Sequence, residues 1–178
     1  MTDKKQVVDL ETLKRFDRQG PRYTSYPTAV EFHAGVSEKE YRSELQRAAR
    51  GDAQAPLSLY IHLPFCRERC EFCACHAMAT PRKEVAAEYL EYVKREIDIA
   101  AGQLAERRGV VQLHLGGGTP TYYSATELAG LFGHIKDRFQ IESNSEIAIE
   151  VDPRVTSFEH LEVLAGQGPT APLAGLFL

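Results

Sequence analysis

An α/β fold with a parallel sheet is predicted by two observations. Runs of apolar, β-favouring residues alternate three times with stretches of helical spacing, the pattern of successive right-handed βαβ units. Each predicted strand also ends in an unusual motif: a cysteine loop, a run of three glycines, and an acidic residue before Asp-Pro. Functional residues of parallel α/β sheets gather at the carboxyl ends of strands, so these endings agree with the alternation.

Taken in chain order, residues 1–36 are polar, and "GPRYTSYPTAVEFHAGV" has neither helical nor strand periodicity, which predicts an ordered arm. Ser37 reads as an N-cap, with Glu40 three residues on completing a capping box, and a helix follows to about Arg50. "GDAQAP" is a turn or linker. "LSLYIHL", Leu57 to Leu63, is a strand stopped by Pro64 that runs straight into the cysteines. From Lys83 to about Arg108, Val85, Tyr89, Tyr92 or Val93, Ile97, Ala100 and Leu104 recur at helical spacing, and Gly109 is expected to end that helix. "VVQLHL", Val110 to Leu115, is the second strand, ended by "GGGTPT". Ser124 or Thr126 caps a helix through Leu128, Leu131, Phe132, Ile135 and Phe139. "EIAIEV", Glu146 to Val151, is the third strand, stopped by "DPR".

With 178 residues, the chain has the length of one domain with a sizeable core, or one domain plus an arm. Hydrophobic residues make up 43% and charged residues 26%, values of an ordinary soluble globular protein. A formal net charge of −4 gives no electrostatic footprint for nucleic acid. The first residues lack the apolar region of a secretory signal, and no apolar run approaches the ~20 residues of a spanning helix. The expectation is a cytoplasmic protein without nucleic-acid or membrane partners, in which closely spaced thiols stay reduced and serve metal binding or catalysis.

All four cysteines lie in "FCRERCEFCAC", spaced Cys66-x3-Cys70-x2-Cys73-x-Cys75. Structural zinc needs four ligands in closed tetrahedral geometry, usually as two separated pairs. No second pair exists here, although His62 or His76 could contribute. An iron-sulfur cluster suits the pattern better, because a single loop can place three thiolates on three irons. The glycine run is either a tight turn or a place where backbone amides approach a ligand closely. Glu150 is either a polar residue facing outward in period-2 alternation or a carboxylate aimed into the mouth at the strand ends.

The x3, x2 cysteine spacing resembles the radical S-adenosylmethionine (SAM) superfamily. Four stretches together, "PRYTSYPTA" from Pro21, "YIHLPFCRERCEFCAC" from Tyr60, "GGGTPT" from Gly116 and "IEVDPR" from Ile149, are similar to the oxygen-independent coproporphyrinogen III oxidase family (coproporphyrinogen dehydrogenase) over roughly residues 15–165. The resemblance implies the first three βα units of a radical-SAM TIM-like barrel, preceded by the arm and its helix. It implies that Cys66, Cys70 and Cys73 hold a [4Fe-4S] cluster with one iron open to SAM, while Cys75 is an accessory residue and not a ligand. Two SAM molecules are implied: Tyr60, Gly117 and Glu150 match contacts to the first, and Phe72, Gly118 and Thr119 match contacts to the second. Tyr23 and Tyr26 of the arm would lie near the substrate entrance, although plain loop packing also accounts for them.

The chemistry implied is oxidative decarboxylation of two propionates of coproporphyrinogen III to vinyl groups, giving protoporphyrinogen IX in haem biosynthesis. An electron donor and an acceptor, neither identified by the sequence, are required, and the family expectation is a monomer. A radical-SAM haem chaperone or related haem-modifying protein is the nearest alternative, but Cys75 and the Tyr-Thr-Ser-Tyr-Pro arm favour the oxidase. A non-catalytic zinc-binding module is the alternative from another class.

Family members are more than twice this long. The expected division is an arm and helix over 1–55, the amino-terminal part of the barrel over 56–165, and a tail over 166–178. "GQGPTAPLAGLFL" departs from the family pattern and reads as non-native sequence. An open half-barrel is expected to be marginally stable and inactive alone, since its edge is unpaired and its sites are incomplete.

Overall fold

A computed structural model describes residues 9–17, 31, 33–51, 55–71, 73 and 75–167. The chain divides into two units, Met1–Ser37 and Glu38–Leu178. In the first, helix α1 (Leu10–Phe16) starts where Asp9 accepts hydrogen bonds from the amide and the hydroxyl of Thr12, both at 2.8 Å. This N-cap satisfies a donor that the first helical turn leaves unpaired. The sequence reading did not separate α1 from the arm, and Tyr23 and Tyr26 lie outside the described residues.

The second unit is built on a three-stranded sheet of β1 (Leu57–Leu63), β4 (Gly109–Gly117) and β5 (Gln140–Ile149), in the order β1-β4-β5 with both pairings parallel. Between β1 and β4 come a two-residue pair, β2 (Phe65–Cys66) and β3 (Met78–Ala79), and the crossover helix α3 (Lys83–Leu104). Helix α4 (Ala125–Arg138) joins β4 to β5, and α5 (Phe158–Ala165) follows β5. Helix α2 (Glu38–Arg50) precedes the sheet and packs on α3, with Leu45 and Ala48 against the core. The expected α/β architecture of three successive βα units is therefore present, and the sheet is open among the described residues.

Strand alternation sorts the side chains. Ile61 and Leu63 of β1, Leu113 and Leu115 of β4, and Ile149 of β5 are buried toward the helices. They meet Ala86, Leu90, Val93, Ile97, Ala101 and Leu104 of α3, and Leu128, Leu131, Phe132 and Ile135 of α4. Val93, Ile97 and Leu104 of α3 are buried as their spacing suggested, whereas Ala86, Leu90 and Ala101 are buried in place of Val85, Tyr89 and Ala100, each one position earlier. The opposite face of the sheet carries Ser58, Tyr60, Gln112, His114, Glu146 and Ala148, which line an open cavity of about 290 Å³.

Four boundaries differ from expectation. Helix α3 stops at Leu104, not near Arg108, because Ala105 turns to φ 50° and the Arg107 guanidinium is used elsewhere. That guanidinium donates to the carbonyls of Ala55 (2.8 Å), Ala48 (3.1 Å) and Pro56 (3.2 Å), fastening the end of α2 to the entry of β1. Gly109 consequently opens β4 and pairs with Gln140 instead of closing a helix. Strand β4 continues through Gly116 and Gly117, which pair with His62 and Leu63. Strand β5 starts at Gln140 rather than Glu146, crossing a register irregularity that the buried Ser145 hydroxyl bridges by bonding the Val110 and Glu142 carbonyls, each at 2.6 Å.

Of the stretch expected to be non-native, Gly166 and Gln167 are described. They finish α5 with amide bonds to Glu162 and Leu164, and residues 168–178 lie outside the described residues.

Candidate functional site

The cysteine loop leaves β2 and returns at β3, and its neck is tied by backbone bonds. The Met78 amide donates to Pro64 (2.7 Å) and the Thr80 amide to Cys66 (3.0 Å). Within the loop the Cys73 amide donates to the Cys70 carbonyl at 3.1 Å, a tight turn that holds those two residues together. All four thiols are free; Cys66 and Cys73 are half-buried, while Cys70 and Cys75 are exposed. Burial pushes the Cys66 thiol above its ordinary pKa, and the neighbouring cysteines add to the shift. Burial also raises the Cys75 thiol, reinforced by Cys73 and Glu150. Binding of a metal through Cys66 would therefore displace a proton.

The glycine turn at the end of β4 is bound to the same loop. The Gly118 amide donates to Leu63 and the Thr119 amide to Phe65, both at 2.9 Å. A β-carbon on Gly118 would fall 2.6 Å from the Pro64 backbone, so only glycine permits that approach. The Thr119 hydroxyl donates to the Cys66 sulfur at 3.4 Å. Gly117 has φ +112°, and a β-carbon there would lie 2.5 Å from the His62 ring. The glycine run thus permits close packing between this turn, Pro64 and His62.

The end of β5 supplies the third component. Glu150 is half-buried and accepts the Gly117 amide at 3.1 Å, with the His114 ring 3.3 Å away. Tyr60 lies beside His114, ring centroids 5.6 Å apart, and its hydroxyl is 3.1 Å from Nδ1 of His62. Burial raises the Tyr60 phenol, and the Glu150 charge raises it further. Nε2 of His62 lies 3.0 Å from the His76 carbonyl, which ties this row to the cysteine loop. Beyond Glu150, Asp152 clamps Arg154, whose Nη2 points at the Cys70 sulfur from 3.7 Å.

Cys66, Cys70, Cys73, Cys75, Tyr60, Gly117, Gly118, Thr119 and Glu150 therefore sit at one end of the sheet, whereas Phe72 lies outside the described residues. Sequence reasoning gave no site role to His114 or Arg154 and treated His62 only as a zinc candidate. The alternation that places Tyr60 on the inner face places His62 and His114 there too, and was the available signal.

Among the described residues, no three His, Cys, Asp or Glu side chains surround a single point closely enough to hold one metal ion. Three free thiols on one closed loop, two of them already accepting hydrogen bonds from the neighbouring strand ends, make a donor set that fits an iron-sulfur cluster. No helix among the described residues is long and apolar enough to cross a membrane.

Comparison with known proteins agrees with this arrangement. The radical SAM superfamily profile matches residues 60–176. An oxygen-independent coproporphyrinogen III oxidase of Helicobacter pylori is 38% identical over 164 residues, covering 92% of this chain and 36% of that protein. One of Mannheimia haemolytica is 40% identical over 147 residues, covering 83% of this chain and 97% of that sequence. The solved coproporphyrinogen III oxidase of Escherichia coli, described as a radical SAM enzyme, superposes with a TM-score of 0.73 at 38% identity, covering 90% of this chain and 34% of that one. The chain spans about a third of the length of the Helicobacter and Escherichia coli proteins. The profile match and the Mannheimia relative, almost the whole of which this chain covers, place the chain in the radical SAM superfamily and, within it, in the oxygen-independent coproporphyrinogen III oxidase family.

Proposed function

We propose that the protein to which this chain belongs carries out oxidative decarboxylation of coproporphyrinogen III to protoporphyrinogen IX, with an external electron donor and acceptor. The observation that carries the reading is the convergence of the ends of β4 and β5 on one loop of thiols, through Thr119 on Cys66 and Arg154 near Cys70, with the two ends joined to each other by Gly117 on Glu150. Cys66, Cys70 and Cys73 hold the [4Fe-4S] cluster. A cluster and SAM bound there would supply the one-electron chemistry that a propionate side chain needs for oxidative decarboxylation. Tyr60, Gly117 and Glu150 form the binding surface for one SAM, and Phe72, Gly118 and Thr119 contribute to a second.

The chain's own residues orient and shield. Glu150 is fixed by the Gly117 amide and is placed to accept a hydrogen bond from a hydroxyl or ammonium group. The Phe65 ring meets Tyr89 and Tyr123 edge-on, at 5.5 and 6.5 Å between centroids, and closes the floor beneath the loop with apolar surface. Cys75 stands beside the three ligands and acts as an accessory thiol.

The test is anaerobic reconstitution with iron and sulfide, followed by EPR of the reduced protein with and without SAM. A reduced-cluster signal that changes on adding SAM supports the reading, and product analysis on coproporphyrinogen III follows. Stoichiometric zinc with no cluster, or a cluster indifferent to SAM, overturns it.

A further inference from the structure

The turn after β5 contains an ion pair with an unusual neighbour. Asp152 receives the Arg154 guanidinium at three points, Nε to Oδ1 (3.0 Å) and Oδ2 (3.1 Å) and Nη2 to Oδ2 (2.7 Å), and the Arg154 amide at a fourth, on Oδ1 (2.9 Å). Asp152 is itself anchored, since its carbonyl accepts the amides of Val155 and Thr156, each at 3.0 Å, and its side chain is only 19% exposed. The guanidinium is therefore held in one orientation, although 59% of the Arg154 side chain is exposed. In that orientation Nη2 faces the Cys70 sulfur at 3.7 Å. Arg67 and Glu68 of the cysteine loop line the same small cleft as Asp152, Arg154 and Val155.

An exposed arginine ordinarily samples many rotamers, and an isolated surface ion pair stabilises little. Here the carboxylate fork uses one edge of the guanidinium and leaves another N–H directed at a cysteine of the loop. Lysine cannot reproduce this, having no planar fork that donates in two directions. We infer that Arg154, oriented by Asp152, is a positioning residue for the cysteine loop that donates to the Cys70 sulfur. The contact ties the end of β5 to the loop before any cluster is present. Once a cluster is bound it disperses negative charge on a ligand sulfur, which favours the reduced state, because hydrogen bonds to sulfur are among the determinants of cluster potential. This inference rests on the proposed function for its redox part and on the geometry alone for its loop-ordering part.

Two measurements separate those parts. In the cluster-free 178-residue chain, hydrogen exchange of residues 66–73 is followed for the wild type, Arg154→Gln, Arg154→Lys and Asp152→Asn, with Arg47→Gln on exposed α2 as the control. Loop exchange is expected to accelerate severalfold in Arg154→Gln and Asp152→Asn and by less in Arg154→Lys, with no change in the control. In reconstituted protein, the one-electron midpoint of Arg154→Gln is expected to fall by the equivalent of a tenfold change, about 59 mV. Unchanged loop exchange overturns the inference, as does an unchanged midpoint in a variant that binds its cluster. If the wild type takes up no cluster, the proposed function falls, and the exchange measurement alone decides for or against Arg154.

Discussion

At the scale of single residues, the clearest constraint is Gly117. Its φ of +112° is outside the range that residues with a side chain adopt readily, and its missing β-carbon makes room for the His62 ring. His62 in turn faces the Tyr60 hydroxyl on one side and the His76 carbonyl on the other. Gly117→Ala is expected to destabilise the fold by about 1–3 kcal/mol, the usual cost of forcing a side chain into a sparsely populated backbone region. Urea unfolding of the two proteins checks this, and an unchanged midpoint would show that the turn can relax. That Cys66, Cys70, Cys73, the glycines and Glu150 gather at one end of the sheet was legible in the sequence, because each is an unusual residue type at a strand end. The contact of Thr119 with the Cys66 sulfur was not legible, since it depends on how two loops from different strands dock. Arg154 was hidden for the same reason: eighty-four positions separate it from Cys70.

At the scale of elements, periodicity located the strands and helices, and tertiary bonding decided where they stop. Strand β1 runs over the seven residues read from its apolar pattern, and Ser124 forms the capping box of α4 together with Glu127. The first half of β5, "QIESNS", has a polar sequence with little strand character, and it is extended because it pairs beside Gly109 and Val110. The end of α3 is set by Arg107, whose three carbonyl acceptors belong to the end of α2 and the approach to β1. Such charge-assisted bonds satisfy carbonyls that a helix end leaves without partners. Arg107→Ala is therefore expected to cost about 1–3 kcal/mol, because acceptors lose donors that water replaces incompletely. The loss should appear as faster hydrogen exchange at the carboxyl end of α2 and the start of β1. Uniformly faster exchange across the sheet would instead show that the arginine supports the whole core.

At the scale of the whole chain, the same sheet has one face and two edges that behave differently in water. The face turned away from the helices is polar: Ser58 donates to Gln112 at 2.7 Å, and Gln112 lies 3.4 Å from Glu146, so these groups form a ladder across three strands. Leaving that face in water carries little penalty, because few apolar groups lie on it. The edges are different. Among the described residues β1 and β5 each pair on one side only, and an unpaired strand edge invites further pairing with another strand. In the Escherichia coli structure this chain corresponds to 34% of the polypeptide. The parallel order of three strands was legible from the alternation of elements, whereas what completes the sheet beyond them is not encoded in those elements. It follows that the 178-residue chain, purified alone, should associate as its concentration rises and unfold at lower urea than a protein in which these edges are paired. Sedimentation velocity over a tenfold concentration range tests the first expectation. A single monomeric species throughout would mean that the edges are already protected, and attention would then turn to the segments flanking β1 and β5 as the covering elements.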